Sequence, residues 1–159
     1  MNIDIICVGK IKEKYLNDAI AEYSKRLSRY CTLRILEVSD EKTVENASEV
    51  VVDKIKKAEA ERITKHIKKD SMLVTLEING KMLTSEQLAD TMSKWAVDGF
   101  SDIQFVIGGS LGLHKSITDM ASFHLSFSKM TFPHQLMRVI LLEQIYRSYR
   151  INNHEPYHK

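Results

Sequence analysis

Hydrophobic residues in the first half of the chain follow two spacings, one typical of strands and one typical of helices. An apolar, β-branched run at 3–8 predicts a buried strand, and apolar positions three and four residues apart across 16–30 predict an amphipathic helix. The alternating run "LRILEV" at 33–38 predicts a second strand. A charged segment at 44–67 carries one apolar stripe, and its mixed acids and bases favour a solvated helix over an RNA-binding arm.

The second half of the chain continues this alternation. Three further strands are predicted, at 72–78, 103–107 and 124–127. The first of these is closed by "NGK". A capping box at 84–87 begins a helix that ends at Gly99, and a short helical stretch follows His114. Pro133 suits the first turn of a last helix that continues to about residue 149.

Strands and helices therefore alternate over the whole chain, with no internal repeat and no low-complexity linker. Alternation of this kind is typical of a parallel sheet whose two faces are covered by helices. We predict an α/β fold in a single domain spanning 1–159, with a mostly parallel sheet and helices on both faces.

Composition adds limits to this picture. The 159 residues are 43% hydrophobic and 28% charged, which is ordinary for a globular protein, and the net charge of +2 alone gives no argument for nucleic acid. The opening "MNIDIICVGK" lacks the features of a signal peptide, and no apolar run is long enough to span a bilayer. We expect a cytoplasmic protein with no membrane partner.

The glycine-rich stretch "FVIGGSLGLH" at 105–114 looks like a strand that enters a turn and then a helix. It matches neither the dinucleotide fingerprint, which belongs in the first strand-to-helix turn, nor the Walker loop, which needs a following Lys-Ser or Lys-Thr. Two interpretations remain equal on the loop alone. It is either a tight turn without a ligand or a place where the backbone passes close to one.

A second strand exit, "SFSKMTFP" at 126–133, leads through small and hydroxyl residues into the last helix. The carboxyl ends of parallel strands lie at one edge of a sheet, so the two exits are expected to wall one crevice. No lysine-rich cradle accompanies them. A flat, partly apolar cofactor such as adenosine suits this crevice better than a triphosphate.

Three stretches of the chain carry a family resemblance: "FVIGGSLG", "LSFSKMTFPHQLMRVILLEQIYRSYRI" and the terminal "EPYHK". They resemble the SPOUT-class bacterial methyltransferases that modify N3 of a pseudouridine in large-subunit ribosomal RNA, and the likeness covers essentially the whole chain. It implies a C-terminal trefoil knot, S-adenosylmethionine bound in the knot and an obligate homodimer. Knots are so rare that general topology rules would have rejected this one.

The resemblance also implies where the cofactor binds. Carried over by position, the cofactor-binding residues are Leu76, Gly108, Phe127, Ser128, Lys129, Met130, Thr131 and Phe132. Many members of the family have an acid just before the last glycine of the first loop, where this chain has Leu111. This chain therefore has no carboxylate at the position where many members of the family have one.

Two basic residues on the last predicted helix are candidates for the RNA chemistry. His134 and Arg138 lie one turn apart and share a face with Leu141, Leu142 and Ile145. An arginine on so apolar a face needs a partner or a ligand. Two roles are open for Arg138: it forms an ion pair across a dimer interface, or it is a catalytic residue that contacts RNA or pseudouridine. His134 is a candidate RNA contact.

The basic charge of the chain is concentrated at its C-terminal end. Residues 129–159 contain five Lys or Arg and two Asp or Glu, interleaved with tyrosines, which suits phosphate contacts combined with base stacking. We expect Tyr157, His158 and Lys159 to close over the target nucleotide and bind RNA, with Tyr157 and His158 orienting it for catalysis. A frayed terminus is the alternative, and core packing is expected of Tyr146.

No metal site is expected. His154 and His158 have a ligand-like spacing, but the intervening Pro156 and the lack of further ligands argue against zinc. His114 and His124 have no evident partners in the sequence, and we expect both to be structural or surface residues.

The function that the resemblance implies is S-adenosylmethionine-dependent methylation of pseudouridine N3 in large-subunit ribosomal RNA, on assembled ribosomes. The proton on N3 has to leave, and the sequence leaves open whether a general base or a nearby cation assists. Competing hypotheses are a SPOUT methyltransferase acting on another RNA such as transfer RNA, and a non-catalytic RNA-binding or ribosome assembly factor. A nucleotide-binding signalling domain is disfavoured because both phosphate motifs fail.

Overall fold

A computed structural model describes all 159 residues, and five parallel strands alternate with five helices along the chain. The strands are β1 (Asn2–Val8), β2 (Thr32–Val38), β3 (Met72–Met82), β4 (Asp102–Ile107) and β5 (Phe123–Ser126). The helices are α1 (Lys14–Leu27), α2 (Glu49–Thr64), α3 (Ser85–Val97), α4 (Lys115–Met120) and α5 (His134–Asn152). The predicted α/β fold with a parallel sheet is confirmed.

The sheet has the strand order β2-β1-β4-β3-β5. In the central pair, Ile5 of β1 lies opposite Phe105 of β4 on one side and Ile35 of β2 on the other. Both central strands are almost continuously apolar because each of their faces is covered. This order brings the carboxyl ends of β4, β3 and β5 side by side.

Helices cover both faces of the sheet, as predicted. One apolar cluster joins the sheet to α1, α3 and α5, with Leu27, Trp95 and Leu142 as helix members. A smaller cluster on the opposite face includes Ile63 of α2 and Ile117 of α4. None of the helices combines the length and apolarity needed to cross a bilayer.

The capping box predicted before α3 is present. The Thr84 hydroxyl accepts a hydrogen bond from the Gln87 backbone N–H at 3.1 Å, and the Gln87 side chain accepts one from the Thr84 N–H at 2.8 Å. Just beyond the helix, Gly99 has a φ of +97°, a left-handed conformation that glycine adopts without strain. Local sequence chemistry alone defines both ends of this helix.

The third strand differs from the prediction, which closed it at "NGK". β3 continues through these residues to Met82 and pairs with β5 at both Leu76 and Lys81, with an irregularity in register between them. A Cβ at Gly80 would lie 2.8 Å from the carbonyl carbon of Leu125. The glycine is therefore needed because β5 passes close to the backbone there, and the predicted end of the strand was wrong.

The remaining differences concern where elements begin and end. α2 begins at Glu49, because the Ser48 side chain caps it by accepting from the Val51 N–H, while the stripe had suggested an earlier start. β5 begins and ends one residue before its predicted position, and α5 continues to Asn152. Pro133 lies immediately before α5, at its N-cap position.

Candidate cofactor and substrate site

A cavity of about 650 Å³ lies at the carboxyl edge of the sheet, where β3, β4 and β5 end. Three chain segments line it: the end of β3, the glycine loop after β4, and the segment that joins β5 to α5. The two strand exits singled out in the sequence thus share one cavity, because parallel strands end at the same edge.

The glycine loop folds back on itself. A Cβ at Gly108 would lie 2.8 Å from the carbonyl carbon of Gly112, closer than real side chains come to a backbone. Gly112 has a φ of +86°, and its N–H donates to the Gly109 carbonyl at 3.0 Å. The turn itself requires these glycines, and the same residues form one wall of the cavity.

Hydrogen bonds link the end of β5 to β3 and shape the segment that leads from β5 to α5. The Ser126 hydroxyl lies 2.9 Å from the Ile78 carbonyl oxygen and 3.1 Å from that of Ser128, so it can donate to either. The Met130 N–H donates to the Ser128 hydroxyl at 3.0 Å. Met130 nevertheless keeps an exposed apolar side chain beside the cavity, available to cover a ligand.

Most of the residues expected to bind a cofactor line this cavity. They are Leu76, Gly108, Phe127, Ser128, Met130, Thr131 and Phe132, whereas Lys129 is exposed and does not line it. Of the residues expected to contact RNA, only His134 lines the cavity, and Arg138 and the tail residues do not. The roles assigned to these residues remain predictions.

Glu77 is a cavity-lining residue that the sequence reasoning missed. Its Oε2 accepts from the Thr75 hydroxyl at 2.6 Å and pairs with Nδ1 of His124, so His124 does have a partner. A charged residue directly after the predicted ligand contact at Leu76 was the available signal.

Arg138 is enclosed within the chain, with 2% of its surface exposed. Its guanidinium pairs with Glu37 of β2 at 2.7 Å and donates to the carbonyls of Val8 and Gly9 at 3.0 and 2.6 Å. The expectation was an ion pair across a dimer interface or a contact to RNA. The pair that the structure shows lies inside one chain, because the helix face of Arg138 packs over the ends of β1 and β2.

The terminal residues pack on the far part of α5. The Tyr157 ring meets the Tyr146 ring edge-to-face at 5.0 Å and its hydroxyl donates to Glu143 at 3.0 Å. His158 lies within hydrogen-bond distance of Glu86 and Arg147, at 2.8 and 3.2 Å. The tail packs against its own chain and does not line the cavity of that chain. Tyr146 is a core residue, as expected.

Burial and the Glu143 carboxylate raise the pKa of the Tyr157 phenol to about 12. Tyr157 is therefore protonated at neutral pH, so it can donate a hydrogen bond but is a poor proton acceptor. In the described chain, no group of three or more His, Cys, Asp or Glu side chains is placed to hold a metal ion.

The fold and the cavity define a class of protein: a parallel α/β protein whose candidate ligand site is formed by three loops at one edge of the sheet. A family model described as "Predicted SPOUT methyltransferase" matches residues 1–158. The chain belongs to this SPOUT methyltransferase family.

Similar proteins agree with this assignment. The chain is 63% identical over its full length, and that of the relative, to a protein of Bifidobacterium adolescentis named ribosomal RNA large subunit methyltransferase H. A protein of Clostridium novyi with the same name is 60% identical, again over both full lengths. A solved structure of a "probable methylase family protein" from Haemophilus influenzae has a TM-score of 0.57 at 14% identity, covering 99% of this chain and 70% of that one, and supports the fold.

Proposed function

We propose that this protein methylates N3 of a pseudouridine in large-subunit ribosomal RNA, with S-adenosylmethionine as the methyl donor. One observation carries the proposal: in a chain of the SPOUT methyltransferase family, the glycine loop and the β5–α5 segment enclose one cavity with a largely apolar lining. The ribosomal substrate is supported by the names of relatives that match the chain over its full length.

The cavity fits an adenosyl cofactor by size and chemistry. Its volume of about 650 Å³ lies in the range of small-molecule sites, and its apolar side chains Leu76, Phe127 and Leu125 suit a purine. The glycine loop at 108–112 forms one wall of the cavity, where it has few side chains to exclude a ligand. When bound, S-adenosylmethionine supplies an electrophilic methyl group, and the chain aligns the acceptor nitrogen and excludes water.

The proposal includes the state of the whole protein. We propose that residues 1–159 act as a single domain in the cytoplasm, that the C-terminal segment is threaded as a trefoil knot, and that two chains form a homodimer. For the tail to assist catalysis, it has to come from a second chain or leave Glu86 and Glu143, since it does not line its own cavity.

Methyl transfer to ribosomes tests the proposed function. Ribosomes from cells that lack this protein are incubated with the protein and methyl-labelled S-adenosylmethionine, beside ribosomes that lack the target pseudouridine. Nucleoside mass analysis should find N3-methylpseudouridine in the first sample only. Label in purified transfer RNA but not in ribosomes would overturn the ribosomal assignment, and no transfer by a cofactor-binding protein would leave an RNA-binding role.

A further inference from the structure

The cavity contains two ionisable side chains, Glu77 and His134. Glu77 is engaged, because its Oε2 accepts from Thr75 and pairs with His124. His134 is the first residue of α5 and is partly buried, and its ring forms no hydrogen bond or ion pair within the chain. A cavity-lining histidine whose ring has no partner within the chain is available to act on a ligand.

Charged groups from two directions surround His134. Asp40, from the segment after β2, and Arg138, one turn further along α5, are its charged neighbours. Its Nε2 also lies beside the β1–α1 turn, since a Cβ at Gly9 would be 3.9 Å from this atom. Arg138 is itself held by Glu37 and by two carbonyls of β1 and the following turn, so it stays close without bonding to the imidazole.

These surroundings favour the neutral imidazole. Burial lowers the pKa of His134, the positive charge of Arg138 lowers it further, and Asp40 opposes both effects only in part. A neutral histidine has one ring nitrogen with a free lone pair, and at neutral pH it is the side chain best suited to accept a proton.

Resting on the proposed function, we propose that His134 accepts the proton that leaves N3 of the target pseudouridine. The N3–H bond breaks and the proton bonds to the free imidazole nitrogen. The electron pair left on N3 forms the bond to the methyl carbon as the bond from that carbon to sulfur breaks, and sulfur keeps the second pair. The imidazolium then passes its proton to water.

Other groups near the cavity suit this step less well. The hydroxyls of Ser128 and Thr131 are too weakly basic at neutral pH, and the Arg138 guanidinium cannot accept a proton. Lys129 is exposed outside the cavity. Glu77 is already engaged, because its Oε2 accepts from the Thr75 hydroxyl and pairs with His124.

Single-turnover methyl transfer at saturating cofactor and ribosomes tests the proposal as a function of pH. The His134→Gln variant should be about 100-fold slower than the natural protein at neutral pH, within the range expected for loss of a general base. The rate of the variant should rise steadily with pH, because N3 then loses its proton to solvent. The difference in rate between the variant and the natural protein should therefore shrink as pH rises. His66→Gln is the matched control, because His66 is exposed beyond α2 at the other end of the sheet.

Several results would overturn the proposal. An unchanged rate for His134→Gln excludes the role, and a deficit that stays constant as pH rises indicates that His134 only positions the substrate. Affinities for S-adenosylmethionine and for a target RNA fragment should stay within about threefold of the natural protein, a change below 1 kcal/mol. A loss of RNA affinity equal to the loss of rate would make His134 a binding residue instead.

A measurement independent of turnover separates this inference from the proposed function. Nuclear magnetic resonance of ring-labelled histidines, assigned with His134→Gln, should find the His134 imidazole neutral at pH 7 in the folded protein. A protonated ring at that pH would exclude the proton-acceptor role even if methyl transfer occurs. Failure of the natural protein to methylate any ribosome, with a neutral His134, would instead reject the proposed function.

Discussion

Arg138 shows how one side chain links the sheet to the site. Only 2% of the surface of this charged residue is exposed, and its guanidinium bonds to Glu37 and to carbonyls at the end of β1. These bonds hold the first turns of α5, and with them His134, against the carboxyl edge of the sheet. Its contacts therefore indicate a positioning role.

We expect Arg138→Met to destabilise the protein by about 3 kcal/mol, since breaking a buried ion pair leaves its partners uncompensated. The free energy of unfolding in urea measures the loss. In a double-mutant cycle with Glu37→Gln, the two substitutions should be strongly non-additive. A variant that unfolds like the natural protein but no longer binds ribosomes would show that Arg138 contacts RNA directly.

Gly108 is the residue at which a single added side chain should close the site. In Gly108→Val the new Cβ meets the Gly112 backbone, and overpacking of this kind costs about 1–3 kcal/mol. We expect S-adenosylmethionine affinity, measured by calorimetry, to fall at least tenfold. Gly99→Ala is the control: its strain of about 1–2 kcal/mol should lower stability and leave cofactor affinity unchanged.

At the scale of elements, a buried carboxylate joins three strands on the face that α2 covers. Asp4 of β1 is 1% exposed and accepts two hydrogen bonds from Arg34 of β2 at 2.8 Å and one from Gln104 of β4 at 2.9 Å. Burial opposes its ionisation, but Arg34, Gln104 and Lys68 outweigh that cost, so its pKa is lowered. The network fixes the lateral order of the strands that place the loops of the site.

This network predicts a particular dependence of stability on pH. Because the folded pKa of Asp4 is below its unfolded value of about 3.9, its stabilisation is present above that pH and is lost as pH falls through the folded pKa. Asp4→Asn should lower the free energy of unfolding at pH 7 by about 2 kcal/mol. The difference from the natural protein should shrink below about pH 4.

Urea unfolding at pH 7, 4 and 3 measures this difference. Asp18→Asn removes an exposed carboxylate paired with Lys14 one turn away and should change little at any of these pH values. If the Asp4→Asn deficit is the same at pH 3 as at pH 7, the charge of Asp4 is not what stabilises the sheet.

At the scale of the whole molecule, the tail raises the question of how many chains form one site. Tyr157 and His158 are bonded to Glu143 and Glu86 of their own chain, away from their own cavity. In the proposed homodimer, the tail of one chain has to reach the cavity of the other chain to assist catalysis. Removal of residues 157–159 should therefore spare cofactor binding and impair methyl transfer.

Mixed dimers decide which cavity the tail serves. One chain lacks residues 157–159 and the other carries Gly108→Val, so only the first cavity can bind cofactor and only the second chain has a tail. We expect methyl transfer to ribosomes from the mixed dimer and little from either parent dimer. An inactive mixed dimer containing a cofactor-binding cavity would mean that each tail acts on its own chain.

Local pattern was sufficient for most of the fold. The spacing of apolar residues predicted most strands and helices, the capping chemistry of Thr84 and Gln87 defined where α3 begins, and Pro133 marked the start of α5, because such signals depend on neighbours in sequence. At Gly80 the same reasoning was wrong. The glycine is needed for a close approach of β5, a segment about 45 residues further along the chain, and local pattern carries no record of that contact.

The sequence by itself determined the parallel α/β fold and the meeting of the two loops, since parallel strands end at one edge of a sheet. Tertiary structure alone decided what each charged side chain does. It buried Arg138 against Glu37, bonded Glu77 to His124, and left His134, a cavity-lining residue, without a hydrogen-bond partner. The physical reason is that burial and ion pairing depend on which distant residues the folded chain brings together, and spacing along the sequence does not specify those neighbours.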